Sequence, residues 1–246
     1  MQPTRTSGTA AMLVLLGFMT IMNLAKAAEN PEPSRVRIVL VGDSTVTDSA
    51  GWGKAFAELL KPGTECVNRA RGGASSKSYY DAGHWKQALA QKPTHVLIQF
   101  GHNDQPGKGP ERETDPATTY RDNLRRYIDE ARAAGAEPIL VTSMVRRVFG
   151  KEGKLRTDLE PYAEAVRTVA EEKKVPVVAL HARSKELIDK LGPEKSREFG
   201  PSQPKDATVV DRTHLSEAGA KAVAPLVADE LRMTVPALVK VLPDPK

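Results

Sequence analysis

Residues 36–46 read VRIVLVGDSTV, an apolar run rich in β-branched residues that stops at Gly42-Asp43-Ser44-Thr45. A short run of this kind, closed by turn-forming residues, reads as a β-strand. Four similar runs follow, at residues 65–70, 94–100, 138–143 and 175–180. The last three are almost continuously apolar, the pattern of strands covered on both faces in a parallel sheet. Helical stripes alternate with them. Trp52, Phe56, Leu59 and Leu60 form the first, and Tyr120, Leu124, Tyr127, Ile128 and Ala131 the longest, with Gly135 as its stop. Tyr162, Val166, Val169 and Ala170 follow Pro161, and Val223, Leu226, Val227 and Leu231 make the last stripe, in which Pro225 predicts a kink. The alternation predicts an α/β fold: a three-layer α/β/α sandwich around a five-stranded parallel sheet of flavodoxin-like order 2-1-3-4-5. Residues 105–116, 146–158 and 192–207 are polar and read as long loops.

A chain of 246 residues that is 40% hydrophobic and 27% charged holds enough apolar material for one domain with a sizeable core. Its start has a different character. Arg5 lies in a polar opening, residues 10–24 (AAMLVLLGFMTIMNL) are apolar, and Ala25-Lys26-Ala27 supplies a small-x-small cleavage pattern. The apolar run is shorter than the roughly 20 residues of a membrane-spanning helix. The reading is a signal peptide over 1–27 and a single domain over 28–246, with a C-terminal tail from about 233. The protein is thus expected to be secreted or periplasmic and free of the membrane once processed. A net charge of +5 is mild, which argues against a dedicated nucleic-acid binder. Cys66 is the only cysteine, so neither a disulfide scaffold nor a cysteine-based zinc site is available. His102 and Asp104 lack a third ligand at a sensible spacing, and no metal is expected.

In open α/β sheets ligands bind beyond the carboxyl ends of the strands, where the strand order reverses. Read in turn, those ends carry Gly42-Asp43-Ser44-Thr45, Arg71-Gly72-Gly73-Ala74-Ser75-Ser76, Gly101-His102-Asn103-Asp104 and Arg146-Arg147. They offer one hydroxyl, a glycine-rich loop able to present backbone N–H groups, and one amide side chain. Asp211 and His214 add a carboxylate and an imidazole about one helical turn apart. Nucleophile, general base, orienting acid and oxyanion donors are the parts of a serine hydrolase.

These blocks, in this order, resemble the SGNH (GDSL) hydrolase superfamily and, within it, the rhamnogalacturonan acetylesterases. The closer features are Gly42-Asp43-Ser44-Thr45-Val46, Gly51-Trp52-Gly53, Gly73-Ala74-Ser75-Ser76-Lys77-Ser78-Tyr79, Gln99-Phe100-Gly101-His102-Asn103-Asp104, Arg146-Arg147-Val148-Phe149 and Asp211-Arg212-Thr213-His214. The resemblance implies Ser44 as nucleophile and Asp211 and His214 as the rest of the triad. It implies an oxyanion hole formed by the N–H groups of Ser44 and Gly73 and the Asn103 amide. Ala74 stands where the family usually has a basic residue. Gly73, rather than Gly72, is taken as the donor because the following Ser-Ser-Lys-Ser-Tyr then aligns without a gap. Val46 breaks the G-x-S-x-G pattern of ordinary α/β-hydrolase lipases.

The function implied is removal of O-acetyl groups from a polysaccharide, most of all pectic rhamnogalacturonan, with no cofactor. Arg146 and Arg147 are expected to grip galacturonate carboxylates, and Trp52 is taken as a candidate sugar contact, against the commoner role of a core anchor. Rival readings are an acetylxylan or short-chain lipid esterase of the same superfamily, a non-catalytic carbohydrate-binding protein, and a carboxylate-pair glycosidase using Asp43, Asp104 and Asp211.

Overall fold

The structure is a computed structural model that describes residues 1–2, 35–201 and 211–245. Apart from Met1 and Gln2, the expected signal segment lies outside the described residues, as do residues 202–207 of the last expected loop. Five parallel strands, β1 (Arg37–Gly42), β2 (Glu65–Asn68), β3 (His95–Gln99), β4 (Glu137–Val141) and β5 (Val177–Val178), form one sheet in the order β2-β1-β3-β4-β5. This is the predicted order. It brings the carboxyl ends of β2, β1 and β3 side by side, with Leu40 in register with Asn68 and Leu97. The strand β5 is shorter than its apolar run. The Ala179 N–H donates to the Glu230 carboxylate and the His181 N–H to the Thr142 hydroxyl, which takes the chain out of the ladder.

Among the described residues seven helices cover the two faces: α1 (Gly53–Leu59), α2 (Ser76–Asp81), α3 (His84–Leu89), α4 (Thr119–Ala133), α5 (Glu160–Lys173), α6 (Leu180–Lys195) and α7 (Glu217–Thr234). Side chains alternate across each strand, so β1 serves both layers. Ile38 and Leu40 pack with Leu97, Ile139 and Val141 against Phe56 of α1 and Val223, Val227 and Leu231 of α7. Val39 and Val41 point the other way, to an aromatic layer with Tyr79, Trp85, Tyr120, Tyr127 and Tyr162.

Two expectations are corrected, those for Pro225 and for the loop at 192–207. The helix α7 continues through Pro225 as one element, because Val223, Ala224, Val227 and Ala228 bury both halves of it against the sheet. The C-terminal segment from 233 packs onto the domain: Leu238 and Leu242 are fully buried around a short 3-10 helix at Pro236–Val241. Of the expected loop at 192–207, residues 192–195 belong to α6, broken at Gly192, and Ser196–Phe199 form a 3-10 turn.

Candidate active site

The chain turns sharply after β1 because the Asp43 side chain closes the turn itself. Its Oδ1 accepts the Thr45 N–H at 2.8 Å and the Thr45 hydroxyl at 2.7 Å, and Val46 N–H donates to the Asp43 carbonyl at 3.1 Å. Ser44 sits in this turn with its hydroxyl oxygen 2.9 Å from His214 Nε2. On the other side of the ring, His214 Nδ1 lies 2.6 Å from Asp211 Oδ2. Asp211 Oδ1 accepts the N–H groups of Thr213 and His214, both at 2.8 Å. Burial alone would raise the Asp211 pKa, but these hydrogen bonds and the neighbouring imidazole outweigh it and hold the carboxyl below its ordinary value. An ionised Asp211 accepts the Nδ1 proton, which leaves Nε2 free to accept from the Ser44 hydroxyl.

The Asp-x-x-His turn has its own anchors. Ser216 caps α7 by accepting the Gly219 N–H, and Leu215 N–H donates to the Ala50 carbonyl in the loop after Ser44. At Gly200 any Cβ would lie 2.1 Å from the Asp211 carbonyl oxygen, so only glycine admits that approach.

The second-strand loop folds as a turn closed by Ala74 N–H on the Arg71 carbonyl, at 3.2 Å. Gly73 takes a φ of +75°, as a type II turn requires at its third residue. A Cβ on neighbouring Gly72 would lie 4.0 Å from Ser44 Cβ, which brings the turn alongside Ser44. The Asn103 side chain donates one N–H to the Ala74 carbonyl at 3.0 Å, joining this loop to the end of β3. The structure thus gathers Ser44, His214, Asp211, the Gly72-Gly73 turn and Asn103 at one end of the sheet.

Trp52 does not join them. It is fully buried, and its indole N–H donates to Gln99 Oε1 at 3.0 Å. Gln99 Nε2 donates in turn to the Thr45 hydroxyl, which donates to Asp43. Trp52 therefore braces the turn from beneath and cannot reach a sugar. Gln99 and Thr45 stand in the sequence motifs with no role assigned to them; the signal for one is a glutamine inside an otherwise apolar strand run. His102 lies beside this chain, its Nδ1 3.5 Å from Asp43 Oδ2. Burial would raise the Asp43 pKa, but His102 and the Thr45 hydrogen bonds hold it below its ordinary value.

Arg147 is a second correction. At 2% exposure it cannot grip substrate, and its guanidinium points at the triad backbone instead. One terminal nitrogen donates to the carbonyls of Asp211 at 2.8 Å and His214 at 2.5 Å, and the Arg147 N–H donates to the Arg212 carbonyl at 2.8 Å. Arg146 stays at the surface of the site but is engaged: it donates to Gln105 Oε1, Asp158 Oδ2 and the His102 carbonyl. Asp104 is fully buried and accepts from the Ser76 N–H and hydroxyl, the Thr114 hydroxyl and the Gly101 N–H. Burial pushes its pKa up to about 7 against the pull of those donors. Asp43 and Asp104 thus hold loops together and offer no pair of carboxylates facing a glycosidic bond.

Comparison with known proteins finds relatives over most of the chain. Residues 40–222 match the GDSL-like lipase/acylhydrolase family. Rhamnogalacturonan acetylesterase RhgT of Bacillus subtilis (strain 168) is 40% identical over 210 residues, 79% of this chain and 88% of that protein. The probable rhamnogalacturonan acetylesterase YesY of the same organism is 33% identical over 203 residues, 79% of this chain and 92% of that protein. Axe2, an acetylxylan esterase from Geobacillus stearothermophilus, shares the fold at a TM-score of 0.59 and 20% identity, over 80% of this chain and 94% of that one. The chain belongs to the GDSL-like lipase/acylhydrolase family.

Proposed function

We propose that the protein is an exported acetylesterase that removes O-acetyl groups from pectic rhamnogalacturonan by way of an acetyl-enzyme. The observation that carries the chemistry is the unbroken relay from Ser44 through His214 to Asp211, at 2.9 and 2.6 Å. His214 takes the Ser44 proton as the oxygen attacks the acetyl carbonyl. The N–H groups of Ser44 and Gly73 and the Asn103 amide receive the oxyanion. Collapse expels the sugar hydroxyl, protonated by His214, and leaves an acetyl-Ser44. Water, deprotonated by His214, then releases acetate. The substrate class rests on the two Bacillus relatives, both rhamnogalacturonan acetylesterases by name. Export suits a polymeric substrate outside the cell and agrees with the signal pattern of residues 1–27.

The test is acetate release from acetylated rhamnogalacturonan, acetylated xylan and a small aryl acetate, by wild type and by Ser44→Ala. Loss of the nucleophile is expected to lower kcat on the order of 10³-fold or more, with the thermal midpoint unchanged. A folded variant keeping a tenth of the activity would remove Ser44 from the mechanism. Preference for acetylated xylan would overturn the pectic assignment alone.

A further inference from the structure

Between the loops that follow β3 and β4 lies a groove that acyl transfer does not use. It is a cavity of about 310 Å³ lined by Gln105, Lys108, Arg146, Val148, Arg156 and Asp158. Its volume is at the lower end of the range of small-ligand pockets, ~300–1,000 Å³. Its basic wall is held in place. Residues around 150 form a small hairpin, with Phe149 bridged to Leu155, Gly150 N–H on the Lys154 carbonyl and Arg156 N–H on the Val148 carbonyl, both at 2.8 Å. This sets Arg156 across from Val148 on a backbone closed by its own hydrogen bonds. Arg146 is pinned at three points, to Gln105, to Asp158 and to the carbonyl of His102, the residue before Asn103. Through Arg146 the groove therefore adjoins the loop after β3 that carries Asn103.

The charges do not cancel. Asp158 neutralises Arg146 at 2.6 Å, whereas Lys108 and Arg156 meet no carboxylate within ion-pair distance among the described residues. A larger cavity next to it shares Gln105 and Asp158 but has the opposite sign, with Glu113 and Asp115 in its wall. An anionic sugar is thus drawn to one side of the Gln105–Asp158 ridge and repelled from the other.

We infer that this groove is the subsite for a galacturonate carboxylate next to the acetylated position, held by Lys108 and Arg156 with Arg146 as its fixed wall; the inference rests on the acetylesterase reading of the adjacent site. Arg156 can offer a carboxylate two parallel N–H donors and Lys108 a mobile point charge, so the pair supplies orientation as well as attraction. Both cations are screened by salt, and the effect on the polymer weakens accordingly.

Three substrates test it: acetylated rhamnogalacturonan oligomers, the same oligomers with their carboxyl groups reduced to alcohols, and a small neutral aryl acetate. The readout is kcat/KM on each oligomer relative to the aryl acetate. For wild type at low salt, carboxyl reduction is expected to lower that ratio about tenfold, mostly through KM, with the gap closing toward ~1 M salt. The double variant Lys108→Gln/Arg156→Gln is expected to lower the ratio for the charged oligomer by a similar factor and to treat the two oligomers alike. Equal wild-type ratios for charged and reduced oligomers overturn the subsite even if the variant folds poorly. So does a folded double variant that keeps the wild-type preference. Aryl acetate hydrolysis without acetate release from any rhamnogalacturonan oligomer would instead remove the acetylesterase reading, and the subsite with it.

Discussion

Arg147 places a guanidinium where carbonyl oxygens are its hydrogen-bond acceptors, those of Asp211 and His214. Burial draws its pKa down to about 10, which still leaves it charged at neutral pH. A buried cation over the turn that carries both Asp211 and His214 acts as a clamp, and its nearness to Asp211 favours the ionised carboxylate. Arg147→Met leaves two part-buried carbonyls without that donor, so the thermal midpoint should drop, and kcat should fall at least tenfold as His214 loses its alignment with Ser44. The loss should be the same on a neutral aryl acetate and on an acidic polymer. A defect confined to KM on the acidic polymer would return Arg147 to substrate binding. Asn103 makes a sharper case, because in the proposed mechanism its hydrogen bond counts most in the transition state. Asn103→Ala should lower kcat by ~10²–10³ with KM nearly constant, measured on the aryl acetate.

Among the elements, the end of β3 is where the most parts meet. Asp104 collects Ser76 from the start of α2 and Thr114 from the loop before α4, while Asn123 of α4 donates to the Ser76 hydroxyl at 3.0 Å. Tyr162 of α5 adds its hydroxyl, donated to the carbonyls of Asp104 and Thr114. Ser76→Ala removes a hydroxyl that both donates and accepts in a buried network, at a cost of about 1–3 kcal/mol in unfolding experiments. Asn103 follows from its neighbour, so kcat should fall as well; an unchanged kcat would mean that Asn103 is positioned independently of Asp104. This level also shows what could be read from the chain. The strands were legible because β-branched apolar runs end in Gly-Asp-Ser and Gly-His-Asn-Asp, and strand order then made those ends neighbours. Arg146 and Arg147 were not separable, since two adjacent arginines after a strand look alike until the turn at 211–214 arrives over one of them. Trp52 had the same ambiguity, and its buried glutamine partner lies 47 residues away.

For the whole molecule, Asp104 is the buried carboxyl through which pH should act on the loop after β2. Its ordinary pKa is 3.8 and its folded value is raised to about 7, so between those limits the folded protein holds a proton that the unfolded chain has released. The stability this contributes is fully present below about pH 3.8 and is lost as pH rises through 7. Other groups pull the opposite way. Asp43 and Asp211 have lowered values, so what they contribute is present above their ordinary pKa and lost as pH falls through the folded one. Burial lowers His95, which likewise favours the folded state at higher pH. Wild-type stability alone would therefore mix several slopes. Asp104→Asn deletes one titration and leaves the rest, so the difference in thermal midpoint between wild type and variant isolates it. That difference should move against wild type as pH rises from about 4 to about 7 and then level off. A rise from 3.8 to about 7 at a fully buried carboxyl corresponds to a few kcal/mol, or a movement on the order of 10 °C for a domain of this size. Calorimetry of both proteins across roughly pH 4–8 decides it. A constant difference, or one that moves in favour of wild type, would mean that the donors around Asp104 hold it ionised throughout and that the loop carries no proton at any working pH.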